Sequence, residues 1–495
     1  MGEEIISLET FLADNHSLMI APAGHGKTFC ISECVKIIGE WGCVLILTHT
    51  HAGIASIKSK MSKANVPSKY YHIETIMGFI QHYVTSLFGA DALPEINDNS
   101  YYNTLLQIGK KIFSSNMVKT VLFNSYKCLF VDEYQDCSLE QNDIILEISE
   151  ILPAHLFGDE MQGIFSFNGQ IPVSFKDDLP SFNQYRLLTI PWRWKSNGNN
   201  EQLGYEILKC RKSLESNPSE INIDDNPQSS FYVLLLDDRQ KDYFQTVGKY
   251  IRSLPGNSIL VIVPSGKDYG TISERVTIRN RLGLKYSFQL IEALDDNKFY
   301  SCAKSADTLI REIKDKHKPI KQIAKLLESL TFTKTDINEW ITDNKIKSKR
   351  DMDKSIIALK LQEEINRFIS IPSSITLLSL LRFAKIELKM QLKRENLYYT
   401  LQKVIKDSIT NQTSIYTEMV SYKNRIRRTG RTIKGKCIAT TLLTKGLEFD
   451  HVVIIGANKF EDHKNFYVAI SRACKSLHIF TNSMTLHFNK YGLQK

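Results

Sequence analysis

The chain has 495 residues, 42% of them hydrophobic and 24% charged, with a formal net charge of +9. That length exceeds one ordinary hydrophobic core and predicts two or more domains of a folded soluble protein. No apolar run approaches the roughly 20 residues of a membrane-spanning helix, and the positive charge is only a mild bias toward polyanions.

The opening stretch "MGEEIISLETF" is acidic and lacks a secretory core, and Ile6 stands where myristoylation needs Ser or Thr. A cytoplasmic location with no membrane partner is expected. Cys30, Cys34, Cys43, Cys128, Cys137, Cys210, Cys302, Cys437 and Cys474 form no CxxC pair and accompany no histidine cluster at zinc spacing. Buried free thiols are therefore expected, with a metal or iron–sulfur site as the alternative.

In chain order, "SLMIA" (17–21), "CVLILT" (43–48) and "CLFVD" (128–132) read as buried parallel strands, each followed by polar or glycine-rich residues and then helical sequence. In such a βα repeat, ligands bind at the carboxyl ends of the strands. The first strand runs into "APAGHGKT" (21–28), whose end fits a phosphate-binding loop. Backbone N–H groups from Ala23 through Gly24, His25 and Gly26 can wrap phosphates, Lys27 reaches the terminal ones, and Thr28 holds Mg²⁺. Ala21 replaces the first glycine of the strict pattern and Pro22 lacks an N–H. The third strand ends in "DEYQD" (132–136): Asp132 suits the metal and Glu133 the attacking water, while an acidic turn is the plain alternative.

A second set of strands follows: "FYVLLLD" (231–237), "SILVIVP" (258–264), "CIATTLL" (437–443), "HVVIIGA" (451–457) and "LHIFT" (477–481). Residues 266–434 interrupt that set with Lys, Ile and Leu at helical spacing, as in "IKQIAKLLESL", and predict a mostly helical insertion. Near its end, "KNRIRRTGRTIKGK" (423–436) is basic without an acid and suits either phosphate contact or a solvated face. Glu387 and Lys389 are the one ExK triplet worth weighing for a nuclease, and they sit in sequence that reads as a surface helix.

"VDEYQD" resembles the ATPase motif of superfamily 1 helicases of the UvrD/Rep type, and further motifs follow in family order. "LTHTHAGIASIKSKM" (47–61) resembles their single-strand contact motif and "ETIMG" (74–78) is similar to the next. "LFGDEMQGIFSFNG" (156–169), "LTIPWRWKS" (188–196), "TTLLTKGLEFDHV" (440–452) and "FYVAISRAC" (466–474) resemble the GDxxQxIYxWRG, NYRS, KGLEF and YVAxTRA motifs. The resemblance implies that Gln162 couples γ-phosphate state to DNA and that Arg193 and Arg472 clamp the γ-phosphate from the second domain. It implies that Trp192 stacks on the base and that Gly446 and Glu448 lie near the nucleotide. For the strand it implies stacking by His49, Phe165 and Phe167 and phosphate contact by Thr50 and Thr75.

The chain departs from the family at Asn168, Leu442 and Ala52, and "LETFLADNHSLMIA" offers no clear adenine-reading glutamine. The resemblance implies two RecA-like parallel-sheet α/β domains of a P-loop NTPase. The first spans 1–190, with a short helical insertion at about 80–120; the second spans 191–265 and 435–495, with the helical insertion at 266–434. It implies an ATP- and Mg²⁺-dependent helicase or translocase moving 3′ to 5′ on single-stranded or partly duplex DNA, in defence or repair. The short insertions are similar in layout to the helicase-like subunit of Gabija antiphage systems, which implies a separate nuclease subunit of the OLD type as partner. A DNA-sensing regulatory ATPase with little unwinding is the alternative, and RNA-directed activity a third reading.

Overall fold

A computed structural model describes residues 8–94, 100–164, 172–196, 200–264, 271–292, 297–330, 332–429 and 433–489. The chain divides into two compact units: Met1–Gly270 with Arg281–Gln289 and Arg428–Lys495, and Thr271–Asn280 with Leu290–Arg427.

The first unit holds two six-stranded sheets. The first sheet comprises β1 (His16–Ile20), β2 (Val44–Thr48), β3 (Tyr71–Thr75), β4 (Cys128–Val131), β5 (Ala154–Gly158) and β6 (Asn183–Tyr185), in the order β3-β2-β4-β5-β1-β6. Every pairing in it is parallel. Its strands read as apolar runs because both faces are covered, and the period-2 pleat sorts them between two cores. Leu18, Leu45, Leu47, Leu129, Val131 and Leu156 face one core with Phe79, Leu105, Phe113, Leu122 and Ile145. Met19, Val44, Ile46, Cys128, Phe130 and Phe157 face the other with Cys30, Ile31, Cys34, Val35, Ile57 and Met61. Leu105, Phe113 and Leu122 lie on the helices Tyr101–Phe113 and Asn116–Ser125, so this stretch packs into the core of the sheet.

β7 (Glu220–Asn222) precedes the second sheet, which begins with β8 (Phe231–Leu235), β9 (Ile259–Val263) and β10 (Gln289–Leu290). The second unit then intervenes. Its helices include Asn297–Glu312, Met352–Ser370, Ser374–Ile386 and Glu395–Asn411, accompanied by the small hairpin β11 (Ile341–Thr342) and β12 (Lys345–Ile346). They close over Leu309, Leu327, Leu361, Leu381 and Leu401. In the basic stretch at 423–436, Lys423 is buried with its ammonium 3.2 Å from the centroid of the Phe299 ring, a cation–π packing contact.

The chain returns through β13 (Lys436–Thr440), β14 (Phe449–Ile455), β15 (Ala473–Thr481) and β16 (Thr485–His487). The second sheet runs in the order β10-β13-β9-β14-β15-β8, with β13–β9, β9–β14, β14–β15 and β15–β8 parallel. β16 pairs with β7 in an antiparallel ribbon. All nine cysteines are free thiols, and all but Cys43 are buried. No helix among the described residues is long and apolar enough to cross a membrane.

Candidate nucleotide site

β1, β4 and β5 lead into three loops that carry most of the candidate residues of the first sheet. After β1 the chain turns through Gly24 and Gly26, at φ 73° and 94°. A Cβ on Gly24 would stand 2.8 Å from Arg193 Cβ, and one on Gly26 3.2 Å from Trp192 Cδ1. Glycine alone combines that backbone with that approach without strain. The loop opens the helix Lys27–Gly39, whose first amides have no intrahelical acceptor. Among the described residues, the amides of Gly24, Gly26, Lys27 and Thr28 donate to no protein acceptor, which is the chemistry of an anion cradle. Lys27 Nζ donates to Ala21 O at 2.8 Å, and the Ala23 amide donates to the Tyr467 hydroxyl at 3.0 Å. His25 is buried with Nδ1 2.9 Å from Ala23 O, and burial lowers its pKa to about 4.

At the end of β4, Asp132 donates its amide to Leu47 O at 2.9 Å, extending the ladder, and its Oδ1 accepts the Glu133 amide at 3.0 Å. Glu133 adopts a left-handed backbone, φ 56°, which costs a non-glycine residue on the order of 1 kcal/mol. Its carboxylate accepts from Gln135 Nε2. Burial, reinforced by the neighbouring Glu133 charge, pushes Asp132 up to about 7. Burial also acts to raise Glu133, but Lys27, Lys445 and the Gln135 bond outweigh it and hold its carboxyl below the ordinary range. Asp132, Glu133 and the Thr28 hydroxyl are hard oxygen donors. The like-charge repulsion on Asp132 is relieved by a divalent cation, so this set suits Mg²⁺.

The rest of the acidic stretch ties loops together. Tyr134 is buried and donates to Asn142 Oδ1 at 2.5 Å, while Gln135 Oε1 accepts the Asp159 amide at 2.9 Å. Asp136 accepts from Lys445 Nζ at 2.5 and 2.6 Å, and the same ammonium donates to Gln162 O at 2.8 Å. Burial pushes Asp136 up to about 6 despite that ion pair. After β5, Gln162 Nε2 donates to Asp159 Oδ2 at 2.8 Å.

The second sheet's layer supplies the arginines. Arg193 donates its amide to Gly24 O at 2.9 Å, its Nε to Glu448 Oε1 at 2.9 Å and Nη1 to Ser471 O at 2.6 Å. Trp194 anchors this segment from the core through Nε1 to Ala473 O at 2.7 Å, leaving Trp192 45% exposed beside Gly26. Arg472 is buried; Nε donates to Val468 O at 2.9 Å, Nη1 to Leu447 O at 3.3 Å, and Nη2 to Ser471 Oγ at 2.8 Å and Gln162 Oε1 at 3.4 Å. Burial, with Arg193 as a like neighbour, lowers Arg472 to about 10. Gly446 has φ 78° with open space where a Cβ would stand.

The structure thus brings together Ala23 through Thr28, Asp132, Glu133, Gln162, Trp192, Arg193, Glu448 and Arg472. The strand-contact candidates are less uniform. Thr50 and Thr75 cap adjoining helices, their hydroxyls accepting from Gly53 and Gly78 amides at 3.0 Å each. A cap uses only the acceptor side, so each O–H can still donate. His49 sits with Nε2 3.5 Å from Cys137 Sγ, and burial, with Lys445 nearby, lowers it to about 4. Phe165, Phe167 and Asn168 lie outside the described residues. Sequence reasoning missed Lys445, Asp159, Arg211 and Tyr467 as members of this cluster, although all but Arg211 lie inside quoted motifs.

The AAA domain family model matches residues 3–168, and that of the viral superfamily 1 RNA helicase core domain matches residues 363–481. No curated protein matches the chain. Among solved structures, arterivirus nonstructural protein 10, a helicase in complex with DNA, aligns at 13% identity and TM-score 0.26, covering 52% of this chain. The match spans 50% of that protein's chain. With the phosphate loop and both parallel sheets, the two family matches support a P-loop NTPase of the superfamily 1 helicase type.

Proposed function

We propose that the chain is an ATP-driven helicase or translocase that moves on single-stranded DNA, 3′ to 5′. The observation that carries the ATP-driven part of this reading is the meeting of Gln162, from the first sheet, with Arg472, from the second, beside the phosphate loop, while the polymer and the direction follow from the motif resemblance. Thr28 and Asp132 would hold Mg²⁺, whose charge shields the phosphate oxygens. Lys27 and the unpaired loop amides bind the phosphates. Glu133, ionised by its neighbours, orients the attacking water and accepts its proton. Arg193 and Arg472 spread positive charge over the transferring phosphoryl oxygens, and Gln162 links that charge to the loop after β5. Trp192 offers its exposed ring to the base.

Glu133→Gln should keep nucleotide binding and lose DNA-stimulated hydrolysis by ~10²-fold or more. Undiminished stimulated hydrolysis in that variant sinks the reading. Competing single-stranded RNA against DNA as the stimulating strand decides between polymers, a choice the RNA helicase family match makes worth testing.

A second reading is a DNA-sensing ATPase that reports to a separate nuclease of the OLD type in antiphage defence or repair. It is favoured by the close contact of His49 with Cys137, beside the carboxylates, where the family stacks an aromatic on the strand. Processive strand displacement by the isolated chain excludes it.

A further inference from the structure

A buried polar cluster lies behind the residues assigned above. Arg211, on the helix Glu201–Ser216, is 2% exposed and donates through Nη1 to Asp159 Oδ1 at 2.6 Å and to the Tyr467 hydroxyl at 3.2 Å. Its Nε and Nη2 donate to Glu215 Oε1 at 3.2 and 2.9 Å, which fixes the guanidinium plane. Asp159 is fully buried and holds Gln162 Nε2 at 2.8 Å. Tyr467, on the helix His463–Ile470, accepts the Ala23 amide of the phosphate loop at 3.0 Å and lies 3.5 Å from Asp159 Oδ2.

Two helices of the second sheet's layer therefore hold two parts of the first. One hydroxyl fixes the phosphate loop, and one guanidinium fixes the carboxylate that fixes Gln162. A buried carboxylate without Arg211 would take up a proton and lose an acceptor site, and Gln162 could then turn. A lysine in place of Arg211 retains charge but cannot reach Asp159, Tyr467 and Glu215 in one plane.

We propose that Arg211 is a positioning residue for nucleotide turnover: acting through Asp159 and Tyr467, it aligns Gln162 and the phosphate loop together. The pair Arg211 and Tyr467 makes the geometry of the loop depend on the second sheet's helices. This rests on the hydrolytic reading above.

The test measures ATP hydrolysis by the full chain with saturating single-stranded DNA, and separately with RNA, for Arg211→Lys and Tyr467→Phe. Rates are normalised to the folded fraction from thermal melting. Both variants should lower kcat roughly tenfold with KM for ATP within about threefold, the signature of lost transition-state alignment. Tyr467→Phe removes a single hydroxyl, so it reports even where the arginine variant folds poorly. Values of kcat per folded molecule within about twofold of the parent in both variants overturn the proposal, because a purely structural role changes only the folded fraction. A Glu133→Gln control separates the two failures. If that control hydrolyses ATP normally, the hydrolytic reading fails; if it is dead while the Arg211 and Tyr467 variants are normal, only the positioning role fails.

Discussion

The two sheets share a parallel build, yet they present opposite ends to the same cluster of side chains. β1, β4 and β5 run out into the phosphate loop, Asp132–Glu133 and Asp159–Gln162, whereas Glu448 and Arg472 stand immediately before β14 and β15. The carboxyl end of a strand feeding a helix supplies orphan amides and short carboxylates close to the backbone. The amino end has no such donors, so the second layer contributes through long cationic side chains. Where a residue stands relative to its strand thus decides whether loop amides with short carboxylates, or long arginine side chains, reach the cluster.

The sharpest way to break that comparison is to remove one cation from each layer. Lys27→Met and Arg472→Ala should each lower stimulated turnover on the order of 10³-fold. A full loss for Lys27 and none for Arg472, in steady-state assays, would mean that the second layer is a bystander. Next in size is the Asp136–Lys445 pair that spans the layers. Removing either partner alone should cost about 3–5 kcal/mol in urea denaturation, because it leaves a buried charge uncompensated. The double variant Asp136→Asn with Lys445→Met should cost less than the sum of the two; strict additivity would show that the pair does not couple the layers.

Acid should then act within both sheets. His155 in β5 and His478 in β15 are buried, and burial lowers each to about 4. The unfolded chain takes up protons near the ordinary value of about 6.5, which the folded chain refuses. Stability is therefore complete above that pH and falls as pH drops toward 4, by up to ~3 kcal/mol per histidine. Melting temperature against pH should show this slope, and His155→Gln or His478→Gln should each remove its own share. The smallest effect belongs to the first layer alone: Thr50→Ala should cost ~1 kcal/mol through the lost cap, and Thr50→Ser almost nothing.

Much of this arrangement can be read from the residues, within definite limits. "VLILT" and "CLFV" announce themselves because strands buried on both faces need no polar alternation. "NQY" of β6 does not, since an edge strand of three mostly exposed residues carries no apolar signal. Lys27, Asp132 and Glu133 are legible because each motif specifies its own backbone turn. Arg211 is not, because nothing near it in the sequence distinguishes a helix arginine facing solvent from one that meets Asp159 at 2.6 Å. The Lys445 partner of Asp136 is hidden for the same reason, being 309 positions away.

That sequence separation has a consequence in time. Gln162 and Arg472 lie 310 positions apart and Ala23 and Tyr467 444 apart. At a synthesis rate of about 5–20 residues per second, the first sheet leaves the ribosome on the order of half a minute before the arginine that completes its cluster. During that interval the phosphate loop has emerged without Tyr467 and Arg472, so the cluster closes only once the last strands of the second sheet are made.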